Sequence, residues 1–92
     1  MERQPLIEFR NVTKRFGERT ILEGVNFKIY EGEVTTIIGL SGTGKSVTLK
    51  HIIGLLKPDA GEILYQGVPI QRMSAQAWNA YIGRISYMFQ NN

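Results

Sequence analysis

The chain has 92 residues, of which 42% are hydrophobic, including four Phe, four Tyr and one Trp, so it suits one small domain or part of a larger one and is not a disordered segment. It has no cysteine, which excludes a disulfide scaffold and Cys-based zinc chemistry. The net charge of +3 is scattered, with only Lys14 and Arg15 adjacent, so no basic stripe marks a nucleic-acid surface, and no apolar run approaches a membrane span.

Residues 6–12 are predicted as a strand, with Ile7 and Phe9 on one face and Glu8 and Arg10 on the other. A turn is expected over residues 15–18. Val25, Phe27 and Ile29 alternate with Asn26, Lys28 and Tyr30, giving a second half-buried strand closed by Glu31-Gly32. Two alternating strands in succession imply an antiparallel layer. Residues 34–38 (Val-Thr-Thr-Ile-Ile) are apolar at three of five positions and read as a strand buried on both faces of a parallel sheet.

Directly after it comes Gly39-Leu40-Ser41-Gly42-Thr43-Gly44-Lys45-Ser46, a complete G-x-x-x-x-G-K-[ST] phosphate-binding loop. Its glycines let backbone N–H groups curl around phosphate oxygens, and the helix it feeds presents unpaired N–H groups and a positive dipole end to an anion. In that motif Lys45 reaches the β- and γ-phosphates, and the Ser46 hydroxyl is a ligand of Mg²⁺. The helix is expected to run to about Leu56, with Leu49, Ile52, Ile53 and Leu56 as its apolar face and Pro58-Asp59-Ala60-Gly61 as its stop. Residues 62–65 and 68–70 read as a hairpin across Gln66-Gly67. Ser74 is an N-cap for a helix over 75–82, and residues 85–89 read as a further strand with Gln90 at its end.

Taken together, these residues resemble the ATP-binding subunits of ABC transporters over almost the whole chain, from about Leu6 to Gln90. A phosphate loop alone would equally suit a GTPase or a small-molecule kinase. The internal Ser41-Gly42, the passage Ile53-Gly54-Leu55-Leu56-Lys57-Pro58-Asp59-Ala60-Gly61-Glu62-Ile63 with Gly67 after it, and the Q-loop-like Tyr87-Met88-Phe89-Gln90 carry the narrower likeness. The resemblance implies an α/β fold: a P-loop NTPase of ABC type, with an N-terminal antiparallel β layer and part of a parallel core sheet holding the P-loop helix.

It also implies ATP and Mg²⁺ as cofactors. Phe16 stands where the family has an aromatic, usually Tyr, that stacks on adenine. Gly39, Ser41, Gly42, Thr43, Gly44, Lys45, Ser46 and Val47 correspond to positions around the phosphates and Mg²⁺. Val47 replaces the commoner Ser or Thr, so it offers a backbone N–H there but no hydroxyl. Lys45 and Gln90 are the expected catalytic residues, with Gln90 approaching Mg²⁺ and the attacking water. The implied partners are a permease in the inner membrane and a second ATPase subunit in a homodimer, with no nucleic acid. The implied location is cytoplasmic, peripheral on the inner face of the cell membrane.

Within the family, Lys45-Ser46-Val47-Thr48-Leu49-Lys50-His51 resembles ATPases of bacterial envelope phospholipid transport, the toluene-tolerance type included. No LSGGQ-type signature, no apolar strand ending in Asp-Glu and no switch histidine follows, so residues 1–92 are expected to be the N-terminal part of such a domain. The alternatives are a P-loop GTPase, whose N-K-x-D base-reading motif is not present, a P-loop kinase, which would need lid arginines clustered downstream, or a non-catalytic phosphate-binding fragment. His51, the only histidine, is expected to be structural. Met73, Trp78 and Tyr81 read equally as a partner patch or as helix packing.

Overall fold

Strand β1 (Ile7–Phe16) and strand β2 (Arg19–Ile29) form an antiparallel hairpin that is longer than the alternation alone marked out. Phe16 pairs with Arg19 across a tight turn, where Gly17 takes φ +62°. The computed structural model describes residues 4–31 and 43–90. The strand expected over 34–38, and with it the parallel part of the sheet, lies outside them, as do Gly39, Ser41 and Gly42.

Helix α1 (Thr43–Ile52) is followed by strand β3 (Ala60–Tyr65), strand β4 (Val68–Pro69), a short 3-10 turn (Ile70–Arg72) and helix α2 (Ala75–Gln90). The sheet order is β2-β1-β3-β4, and every neighbouring pair is antiparallel. The expected antiparallel layer is therefore present. The β3–β4 turn places Gln66 at φ 48° and Gly67 at φ 83°, the two positive angles a two-residue hairpin of right-handed strands requires. β4 stops at Pro69, which has no N–H to extend a ladder, so Ile70 enters the 3-10 turn and not the strand.

One face of the sheet is the core. Ile7, Phe9 and Val12 of β1, Ile29 of β2 and Ile63 of β3 are buried there with Val47 and Ile52 of α1 and Tyr81 and Ile85 of α2. Phe9 and Phe27, paired across β1 and β2, stack with ring centroids 4.5 Å apart.

Both helices depart from the sequence reading. α1 ends at Ile52, not near Leu56, because Gly54 at φ +83° closes it first. The Leu55 N–H bonds the Lys50 carbonyl at 2.9 Å and the Gly54 N–H bonds the His51 carbonyl at 3.2 Å, the paired bonds of a Schellman stop. Its buried face is also rotated: Val47, Thr48, His51 and Ile52 point inward, while Ile53 is exposed.

The strand expected over 85–89 is instead the second half of α2. Trp78, Tyr81, Ile82, Ile85 and Met88 recur at helical spacing, and all pack on the core or line it. That period outweighs the β-favouring composition of five residues. Ser74 caps the helix as expected, its Oγ accepting from the Ala77 N–H at 3.1 Å. Among the described residues, no helix is long and apolar enough to cross a membrane.

Candidate functional site

Helix α1 begins at Thr43, so Thr43, Gly44, Lys45 and Ser46 form its first turn. The amides of that turn have no partner within the helix, and the aligned peptide dipoles put about half a positive charge at this end. No acidic residue occupies the turn to offset that charge. Ser46 is exposed, and Val47 is buried in the core and anchors the turn to the sheet. An exposed hydroxyl beside uncompensated amides suits a phosphate-borne Mg²⁺, an ion bound through one or two side chains plus the phosphates.

The far end of the same helix is held from two sides. The Tyr81 hydroxyl of α2 donates to the Ile52 carbonyl. Gly54 sits against the Trp78 ring so closely that an added Cβ would lie 2.4 Å from Cη2. Met73, Trp78 and Tyr81 are thus packing residues, with Tyr81 fully buried.

Within the helix, His51 is fully buried, edge-on to Phe9 with centroids 6.2 Å apart. Its Nδ1 lies 2.8 Å from the Val47 carbonyl, so Nδ1–H is the donor, and Nε2 has no partner among the described residues. Burial holds its pKa below the ordinary 6.5, reinforced by Lys14 and opposed by the Val47 hydrogen bond and Asp59. A neutral imidazole packed on an aromatic ring is a structural residue, as the sequence reading held.

Phe16 ends β1 and is 46% exposed, free on much of its surface. The loop leaving α1 is fastened beside it. The Asp59 N–H bonds the Thr13 carbonyl at 2.8 Å, and Asp59 Oδ2 accepts from the Arg15 N–H at 2.8 Å. Lys14 Nζ donates to the Lys57 carbonyl at 2.8 Å and lies 5.6 Å from the Phe16 ring centroid. The sequence reading gave Lys14 no role. Its signal was present in the strand's period of two, which sets residues 14 and 16 on one face. Gln90 is the last residue of α2, so it does not follow a strand. An apolar cavity of about 210 Å³ beneath Trp78, lined by Gly54, Leu56, Ile63 and Met73, includes none of the predicted site residues.

An antiparallel layer packed on a helix whose first turn reads Thr-Gly-Lys-Ser defines an α/β protein of the P-loop NTPase kind. Residues 22–92 match the family model described as ABC transporter, and the chain belongs to that family. This answers the choice that the phosphate loop alone left open. The chain is 39% identical to the phosphonates import ATP-binding protein PhnC of Treponema denticola, over 94% of its own length and 34% of the relative's. It is 40% identical to the intermembrane phospholipid transport system ATP-binding protein MlaF of Haemophilus influenzae, over 96% of its length and 33% of that protein's. The crystal structure of a nucleotide-free ATP-binding cassette from an ABC transporter superposes with a TM-score of 0.65 at 28% identity, covering 84% of this chain and 30% of the other. The chain thus spans about a third of the length of these relatives.

Proposed function

We propose that residues 39–47 bind the phosphates of ATP·Mg²⁺, and that the chain forms the N-terminal, ATP-binding part of an ABC transporter ATPase. The observation that carries this is the start of α1 at Thr43, which puts the amides of Gly44, Lys45 and Ser46 in a first helical turn that contains no acidic residue. Lys45 would supply charge to the β- and γ-phosphates, Ser46 its hydroxyl to Mg²⁺, and Gly39, Ser41, Gly42, Thr43 and the Val47 amide the rest of the cradle. Phe16 would stack on the base through its exposed ring face. Bound ATP supplies a phosphoanhydride whose hydrolysis in the complete subunit would drive transport.

Gln90 is proposed as the residue that orients the attacking water on its Tyr-Met-Phe-Gln motif alone, since the helix replaces the strand the motif was read on. A membrane permease on the inner face of the membrane and a second copy of the ATPase complete the assembly in this reading. Phospholipid is the proposed cargo. The likeness to the intermembrane phospholipid system supports it, while the almost equal identity to the phosphonate importer shows how little of that choice rests on overall similarity.

The test is nucleotide affinity and turnover in the complete, assembled subunit. Lys45→Ala is expected to weaken both. Gln90→Ala is expected to leave affinity near its starting value and to lower turnover by about 10²–10³-fold, the usual loss for one group acting on the transition state. Equal loss of affinity in both variants, with turnover per bound nucleotide unchanged, contradicts the role given to Gln90.

A further inference from the structure

We propose that Lys14 is a positioning residue for base recognition: it is a tethered cation that holds the Phe16 ring from one side and leaves the other for a purine. The inference rests on the reading of Phe16 as the base-stacking residue. Lysine side chains are normally extended into water, yet this one is only 14% exposed. Its ammonium is held by three groups at once. It donates to the Lys57 carbonyl at 2.8 Å, lies 3.8 Å from Asp59 Oδ1, and stands over the Phe16 ring at 5.6 Å from the centroid. Asp59 is itself fixed by the Arg15 and Thr13 backbone groups, so the cation has little freedom to leave.

Two consequences follow for the ring. An exposed phenylalanine at a strand end loses rotamer freedom when it stacks on a ligand, and a cation seated against it reduces that cost in advance. A positive charge on one π-face also draws electron density from the opposite face, which reduces repulsion against a stacked base. Lys14 is committed to the Lys57 carbonyl and to Asp59, so its action is on the ring and not on phosphate. The residues that anchor it belong to the loop leaving α1, and the base side of the site is thereby built from the same segment that ends the phosphate-binding helix.

The experiment is calorimetric titration of the chain with MgATP and, separately, with magnesium tripolyphosphate, which has the phosphates but no base. Lys14→Met, Phe16→Ala and the double variant are compared, with circular dichroism to verify folding. Lys14→Met is expected to weaken MgATP binding about three- to tenfold, the scale of one cation–π contact. It should leave tripolyphosphate binding unchanged and add nothing on top of Phe16→Ala. Should Lys14→Met not fold, Asp59→Asn, which loosens the ammonium while keeping an acceptor for the Arg15 amide, is expected to give the same base-selective loss. Equal weakening toward both ligands, or no weakening where Phe16→Ala gives one, overturns the role of Lys14. No effect of Phe16→Ala on MgATP affinity is a different failure, because it removes the stacking role of Phe16 itself.

Discussion

The buried hydroxyl of Tyr81 donates to the main-chain carbonyl of Ile52, so helix α2 completes the C-terminal end of the helix whose other end faces the proposed phosphates. The Ile52 carbonyl is among the last four of α1, which have no partner inside the helix. Burial, with a smaller contribution from Tyr65, raises the Tyr81 pKa and so favours the protonated phenol that donates this bond.

Tyr81→Phe removes that donor and leaves a buried carbonyl unpaired. The expected cost is about 1–3 kcal/mol of stability with the helix content retained. Urea unfolding followed by circular dichroism measures it. An unchanged midpoint would mean that the bond contributes nothing to holding α1.

Two glycines with positive φ separate backbone strain from crowding. Gly17 faces open space, whereas a Cβ on Gly54 would meet the Trp78 ring at 2.4 Å. Gly17→Ala is expected to cost about 1–2 kcal/mol from the left-handed backbone alone. Gly54→Ala adds an overpacking cost of about 1–3 kcal/mol. In the double variant Gly54→Ala with Trp78→Ala, part of the added cost should disappear, and full additivity of the two changes would contradict the contact.

His51 makes a prediction in pH. Its folded pKa lies below its ordinary 6.5, so the unfolded chain binds the proton more readily. Its contribution is therefore complete above pH 6.5 and is lost as the pH falls toward the folded value, with a slope of at most about 1.4 kcal/mol per pH unit. Unfolding midpoints measured between pH 5 and 7.5 should show this decline, and His51→Leu should flatten it. A decline of the same slope in His51→Leu would assign it to the carboxylates.

Much of this was legible in the sequence because short-range patterns decided it. The alternation of Ile7 and Phe9 with Glu8 and Arg10 gave the buried face of β1, Gln66-Gly67 gave the hairpin, and Ser74 gave the start of α2. The errors arose where two local signals competed. Pro58 looked like the stop of α1, but Gly54, four residues earlier, has the backbone freedom a Schellman stop needs and is pressed on Trp78, a contact between distant segments. Ile85 to Phe89 carry β-favouring side chains, yet the run continues a helical stripe begun at Trp78, and that longer period is satisfied against the sheet. At the site, the Gly-Lys-Ser run marked the helix start from sequence alone. The inward turn of His51 and the capture of Lys14 by the Lys57–Asp59 loop depend on packing that no local pattern encodes.

The central claim is that the first turn of α1 is a phosphate site, and amide chemical shifts of the folded chain during titration with MgATP test it most directly. The largest changes are expected at Gly44, Lys45, Ser46 and Val47, reproduced by magnesium tripolyphosphate and lost in Lys45→Ala with the fold intact. Shifts that bypass these amides, or that persist unchanged in a folded Lys45→Ala chain, would contradict the account.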